Sequence, residues 1–305
     1  MSDCTRHFLP APMQLVMSML AIGCLGWPAG GEAREPEPAE PPRVVSLAPH
    51  LTELAFEAGI GDLLVGAVEW SDYPPAALDL PRIGDAFRFD LEKIVRLDAS
   101  HALAWQGGTP AAAIERLTQL GIDVRVLSVD NLDQIGVAIE TLAALADRPA
   151  RGLDRASEFR QRIADMERSI PTSGSPVDVF YQVSKQPLFT LGGRHVINEI
   201  FRLCNARNIF AELDSAAANV DLEAVIARNP DAIVIGTETR DHSLSVHWRD
   251  YPRLRAVRCG HLLEVDPALL VRPTTRVLDG ARQLCDWLDQ RANQVKDPTC
   301  AIGDE

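Results

Sequence analysis

The chain has 305 residues, 46% of them hydrophobic and 24% charged, a composition for a soluble globular protein that is long enough for two compact units. A net charge of −13 and a pI near 5.0 argue against a basic face able to hold a nucleic-acid backbone. No nucleic-acid partner is expected, and an acidic surface also keeps a protein off anionic membranes.

Residues 1–31 read as an export signal. Arg6 and His7 precede an apolar run from Met13 to Leu25, too short to span a bilayer but of the right length for a signal core. Two processing routes are open: cleavage near the small residues between Ala29 and Ala33, or lipidation of Cys24, because Ala21-Ile22-Gly23-Cys24 resembles a bacterial lipobox. Either route takes the mature protein out of the cytoplasm. Residues 32–42, rich in proline and glutamate, bury too little to order themselves and read as a tether.

From residue 43 to 148 short apolar runs alternate with helical patterns. RVVSLAP, LLVGAVE, SHALAW and DVRVLSV are compact and rich in Val, Leu and Ala, as strands covered on both faces are. Between them, TPAAAIERLTQLG offers Thr109 as a cap, Pro110 in the first turn and Gly121 past the end. Asn131 to about Ala146 puts Ile135, Ile139, Leu142 and Leu145 on one helical face. This alternation predicts a parallel sheet with right-handed crossovers.

Residues 149–171 form the next unit, a single helix of roughly 30 Å between Pro149 and Pro171. Leu153, Ala156, Phe159, Ile163, Met166 and Ile170 make one apolar stripe on it. Residues 172–290 then repeat the βα recipe, with strands at DVFYQVS, DAIVIGT and HLLEVD and helices near 194–204, 221–228, 244–256 and 273–289. Residues 291–305 are a tail. The expected fold is α/β: two βα lobes with mainly parallel sheets, joined by one long α-helix, and a ligand cleft between the lobes. Because a continuous helix resists bending, that cleft should be largely preformed.

In open parallel sheets, ligands bind beyond the carboxyl ends of the strands. Those ends carry Pro49 and His50, then Trp70 with Ser71-Asp72-Tyr73-Pro74-Pro75, then Trp105-Gln106-Gly107-Gly108. In the second lobe they carry Val183-Ser184, Gly236-Thr237 and Asp266, with Arg272 just beyond. An aromatic wall with few polar groups suits a large, partly apolar ligand. Read locally, Trp105 serves equally as core, Asp266 and Arg272 pair with each other, and His50 is a first-turn helix residue. His50 finds no metal-ligand spacing with His195, His242 or His261, so no metal is expected. Enzyme signatures such as GxSxG, the P-loop, HExxH and GxGxxG are missing. Setting Cys4 and Cys24 aside, Cys204, Cys259, Cys285 and Cys300 remain, and in an oxidising compartment they favour at least one disulfide, with three pairings open.

Taken together, RVVSLAPHLTELAFEAGIGDLLVGAVEWSDYPP, FDLEKIVRLDASHALAWQGG, PLFTLGG, NIF and DGARQLCDWL resemble the periplasmic cobalamin-binding proteins of ABC importers, over about residues 43–290. The resemblance implies a substrate-binding subunit, a monomer, that captures cobalamin or a related corrinoid and docks on transmembrane permease subunits. It implies no enzymatic activity and no resident cofactor. Carried over position by position, it implies corrinoid contacts from Trp70, Trp105, Asp266 and Arg272, with Tyr73 as a further candidate, and a Cys204–Cys285 disulfide. Cys259 and Cys300 are then either free or paired. Where the family carries aromatics this chain has Ala86, Val183 and Ala217, and Phe87, Tyr181 and Phe189 are the nearby replacements. Within the wider fold class, haem and ferric-siderophore binders are the alternative. A periplasmic enzyme using the same cleft is the alternative from another class.

The segments DLEKIVR and DLEAVIAR, at Asp90 and Asp221, start two helices alike, one in each lobe. Each Asp is placed to cap its helix, and Glu92 or Glu223 falls in the first turn, where the macrodipole favours a carboxylate. The resemblance implies a second role for these glutamates: docking against arginines of the two permease subunits.

Overall fold

The computed structural model describes residues 40–85, 87–170, 175–237, 247–292 and 300. The export signal with Cys24, most of the tether, Ala86 and nearly all of the tail lie outside them. Among the described residues no helix is long and apolar enough to cross a membrane.

Four strands, β1 (Val44–Ser46), β2 (Leu64–Ala67), β3 (His101–Trp105) and β4 (Asp123–Leu127), pair in parallel in the order β2-β1-β3-β4. Their crossovers carry α1 (Pro49–Glu57), α2 (Leu91–Arg96) and α3 (Ala111–Gln119), and α4 (Leu132–Ala144) follows β4. Val44 and Leu103 face one apolar cluster while Val45, Ala102 and Ala104 face another, as expected of a sheet covered on both faces. Asn131 caps α4, its side chain accepting from the Gln134 N–H at 2.9 Å. Thr109 does not cap α3. Its hydroxyl accepts the Trp105 N–H instead, and Pro110 occupies the cap position.

The long helix α5 spans Pro149–Ser169. Phe159 and Met166 are buried in the largest core cluster and Ala156 is buried as well, but Leu153 is exposed and Gly152 takes its place on the inner face. The spacing from 152 to 156 and 159 keeps a 3.6-residue period, and Gly152 lets α5 approach α4 closely: an added Cβ would meet that of Ala143 at 2.6 Å.

Beyond α5, β5 (Val177–Gln182), β8 (Ala206–Asn208), β10 (Ala232–Gly236) and β11 (Leu262–Val265) form a second parallel sheet, in the order β11-β10-β5-β8. A small antiparallel sheet, absent from the sequence-based expectation, joins β6 (Ser184–Lys185), β7 (Leu188–Leu191) and β9 (Ala217–Asn219). Its helices are α6 (Ile197–Leu203), α7 (Leu222–Arg228), α8 (Arg255–Arg258), α9 (Pro267–Leu270) and α10 (Val277–Ala292). The single helix expected near 244–256 is broken. Its first residues lie outside the described set, His247 and Trp248 are helical, and the chain turns before α8 because Pro252 has no N–H to continue the ladder.

Cys204, at the end of α6, is joined to Cys285 of α10 with their Cα atoms 4.7 Å apart, and Cys259 is joined to Cys300. From Pro41 onward the described residues make one compact unit, and one core cluster runs through both sheets and α5. The lobes are therefore tied by more than one helix. The Leu132 N–H donates to Glu199 Oε2 at 2.7 Å, Arg162 pairs with Asp279, Arg272 with Asp72, and Arg276 with Glu53.

Candidate functional site

The loop after β2 begins with a strained residue. Trp70 has φ +66°, a left-handed value that an aromatic side chain adopts at a cost of about 1–3 kcal/mol, and it is 65% exposed. Packing around the loop offsets that cost. Ser71 is buried and shares a hydrogen bond with Thr52 of α1, while the Arg82 guanidinium donates to the carbonyls of Ser71 and Ala77 at 3.0 Å each. From the other lobe, the Arg272 guanidinium meets Asp72 at 2.6 Å and Arg276 stands over the Tyr73 ring at 3.9 Å. Arg276 also makes a bidentate pair with Glu53, which is 1% exposed, at 2.7 and 2.8 Å.

At the end of β3, the Trp105 ring is laid over Gly108. A Cβ there would come within 1.8 Å of the ring, so the QGG turn is a seat for the indole as well as a turn. His50, in the first turn of α1, meets Trp105 edge-on with ring centroids 5.1 Å apart. Their buried Nε2 and Nε1 atoms have no hydrogen-bond partner among the described residues.

These two side chains form one wall of a cavity of about 190 Å³ between the lobes. The N-terminal lobe contributes Pro49, His50, Trp105, Val129 and Asp130, and the C-terminal lobe contributes Arg194, His195, Ala216, Val271, Arg272 and Pro273. Ordinary ligand pockets hold roughly 300–1,000 Å³.

Both histidines are neutral at pH 7. Burial, then the charge of Arg272 and the proximity of His195, pushes His50 down to about 3. Removal from water lowers His195 to about 4, against the opposing pull of a hydrogen bond to the Val271 backbone. The His195 Nδ1 accepts the Ile197 N–H at 3.0 Å. A folded-state value below the unfolded 6.5 means that the unfolded chain takes the proton first, so this stability is complete above about pH 6.5 and is lost as pH falls toward 3. At about pH 5 the loss from His50 is on the order of 2 kcal/mol. Urea unfolding at that pH should show a lower midpoint than at neutrality, and His50→Gln should shrink the difference. An undiminished drop in that variant would assign the effect to other groups.

Residues 44–269 match the periplasmic binding protein family. The chain belongs to that family. Over 257 residues it is 37% identical to the vitamin B12-binding protein of Vibrio cholerae, which covers 83% of this chain and 91% of the relative. A vitamin B12-binding protein of Photorhabdus laumondii is 34% identical over 256 residues, 84% of this chain and 90% of that one. The crystal structure of the periplasmic vitamin B12 binding protein BtuF of Vibrio cholerae matches with a TM-score of 0.75 at 36% identity, covering 82% of this chain and 97% of that one. The haem-binding protein BhuT, in complex with two haems, matches with a TM-score of 0.73 at 21% identity, over 82% of this chain and 98% of that one, a likeness of fold alone.

In this periplasmic binding protein the expected residues fall into two groups. His50, Trp105 and Arg272 line the cavity together. Trp70 and Tyr73 lie on the loop that Arg272 and Arg276 hold, and Asp266 is exposed at the start of α9. Asp266 does not pair with Arg272. Its carboxylate accepts the Ala268 N–H at 2.8 Å as a helix cap, and Arg272 has taken Asp72. Tyr181 is unavailable as a replacement aromatic because it faces the core at 1% exposure, while Phe87 is 76% exposed and Phe189 is partly buried. Sequence reasoning missed Arg194 and Asp130 and treated His195 only as a possible metal ligand. The available signal was the Gly-Gly-Arg-His turn that follows β7. Among the described residues, no group of three His, Cys, Asp or Glu side chains is placed to hold a metal ion.

Proposed function

We propose that the chain is the substrate-binding subunit of an ABC importer, capturing cobalamin or a related corrinoid in the periplasm and passing it to a membrane permease. The observation that carries this reading is the similarity to vitamin B12-binding proteins along nearly their whole length, at 37% identity over 91% of one of them. The site supports it. Trp105 seated on Gly108 and the exposed, strained Trp70 offer flat apolar surface for a macrocycle, and Arg272, paired with Asp72, lines the same cavity as Trp105. Function on this reading is binding and docking, with no bond made or broken. The haem-binding structures support the fold, and at 20 to 24% identity they support nothing finer.

The test is a titration of the mature protein with cyanocobalamin, cobinamide, haemin and a ferric siderophore, followed by tryptophan fluorescence. Quenching by the corrinoids alone is expected, and no response to any corrinoid would sink the proposal. Trp70→Ala and Trp105→Ala should each weaken binding roughly ten-fold if each ring supplies about 1.4 kcal/mol of stacking. Mass spectrometry of the mature N-terminus separates cleavage from lipidation at Cys24.

A further inference from the structure

We propose that Arg194 binds an anionic group of the ligand, which on the corrinoid reading above is the phosphodiester of the nucleotide loop. Arg194 lines the cavity opposite Trp105 and His50, yet among the described residues its guanidinium has no hydrogen bond and no ion pair. The other two arginines nearby are already engaged, Arg272 by Asp72 and Arg276 by Glu53. Asp130 lines the same cavity, but its carboxylate accepts the Ser128 hydroxyl at 3.1 Å and makes no pair with Arg194.

The backbone beneath it is fixed. The N–H groups of Gly192, Gly193 and Arg194 donate to the carbonyls of Ala216, Leu213 and Ser215 at 3.1, 2.7 and 3.1 Å. The two strands of chain lie so close that a Cβ on Gly192 would sit 2.4 Å from the Ser215 carbonyl oxygen, and one on Gly193 2.2 Å from that of Ala211. Neither backbone atom can move aside as a flexible side chain would, so only glycine fits at these positions. The turn thus presents Arg194 from a rigid base while leaving its side chain uncommitted. Such preorganisation reduces the entropy lost on binding.

The guanidinium favours an anion over another group, and the one carboxylate in the cavity among the described residues, that of Asp130, is bonded to the Ser128 hydroxyl. Guanidinium matches phosphate and carboxylate oxygens with paired N–H donors. His195, adjacent in sequence, commits Nδ1 to a backbone N–H and is neutral, so it adds no charge of its own and Arg194 supplies the cation. A ligand whose macrocycle lies on Trp105 and whose substituent carries a negative charge would satisfy both features. The charge has two sources in the ligand classes considered: the corrinoid phosphodiester or the carboxylates of haem.

The test uses calorimetric titration of the mature protein and Arg194→Gln with cyanocobalamin, which has the phosphodiester, and dicyanocobinamide, which lacks it. Arg194→Gln should weaken cyanocobalamin binding roughly ten-fold and leave cobinamide binding within about two-fold of the parent. Arg194→Lys, keeping the charge without the fork, should fall between. Added salt should weaken cyanocobalamin binding more in the parent than in Arg194→Gln. Unchanged cyanocobalamin affinity in Arg194→Gln, or an equal loss for both ligands, overturns the proposal. If the parent protein binds neither corrinoid, the corrinoid reading fails on its own and haemin becomes the probe. A similar loss of haemin affinity in Arg194→Gln then upholds the anion role in its carboxylate form, and an unchanged one overturns it.

Discussion

Arg276→Met should lower the free energy of unfolding by about 3–5 kcal/mol, because it strands the Glu53 carboxylate in the core without its partner. Glu53 sits on α1 in one lobe and Arg276 just ahead of α10 in the other, with two hydrogen bonds at 2.7 and 2.8 Å. Glu53 is 1% exposed and has no access to water that could replace them. The substitution also removes the cation from the Tyr73 ring, a smaller loss of about 0.5–2 kcal/mol. Urea unfolding followed by circular dichroism measures the sum. The companion Arg276→Met with Glu53→Gln should recover part of the loss, since a neutral amide is less costly to bury than a carboxylate. A single variant within about 0.5 kcal/mol of the parent would show the pair to be dispensable. The exposed pairs elsewhere on the surface, such as Arg155 with Glu158, carry no comparable expectation.

Glu92→Ala combined with Glu223→Ala should abolish corrinoid uptake while leaving corrinoid affinity unchanged. Both residues lie in the first turns of α2 and α7, both are exposed, and neither makes an ion pair among the described residues. The two helices nonetheless differ at their caps. Asp90 accepts the Lys93 N–H at 2.9 Å, whereas Asp221 makes no such bond. Capping therefore does not account for the repeat, and what the copies share is an outward carboxylate on each lobe. Exposed charges of this kind steer and register a transient partner more than they stabilise a fold. Losing a first-turn carboxylate should cost each helix about 1 kcal/mol or less. Uptake measured in cells carrying the permease, beside titration and melting of the purified protein, separates the possibilities. Normal uptake by the double variant would reject the docking role, and a loss of corrinoid binding would return the motif to a structural one.

β8 (Ala206–Asn208) was too short to be expected, and β4, though expected, has Asp123, Arg125 and Val126 exposed; the other strands of the two parallel sheets were legible in the sequence because they are mainly apolar. The antiparallel sheet of β6, β7 and β9 was not, since Ser184–Lys185 and Ala217–Asn219 are too short to carry a period and exist only through pairing with Leu188–Leu191. Leu153 shows the same limit on a helix. It fits the apolar stripe of α5, but the close approach of α4 at Gly152 turned the buried face by one residue. In the site, His50, Trp105 and Arg272 were identifiable from strand ends. Arg194 was not, because an arginine after two glycines looks like any surface turn, and only the fold brings it to the same cavity as Trp105 and His50.

What this sequence determined by itself is the alternation of its longer strands with helices, the caps at Asp90 and Asn131, and the aromatic residues at the strand ends, all of which depend on neighbours within a few positions. Only the tertiary structure decided which charges meet. Asp266 was free to take Arg272 and instead caps its own helix, while Arg272 reaches Asp72 and Arg276 reaches Glu53, residues 200 and 223 positions away. A local hydrogen bond forms wherever the backbone offers the donor, but an ion pair across a cleft depends on how the two sheets are set against each other, and no pattern along the chain encodes that distance.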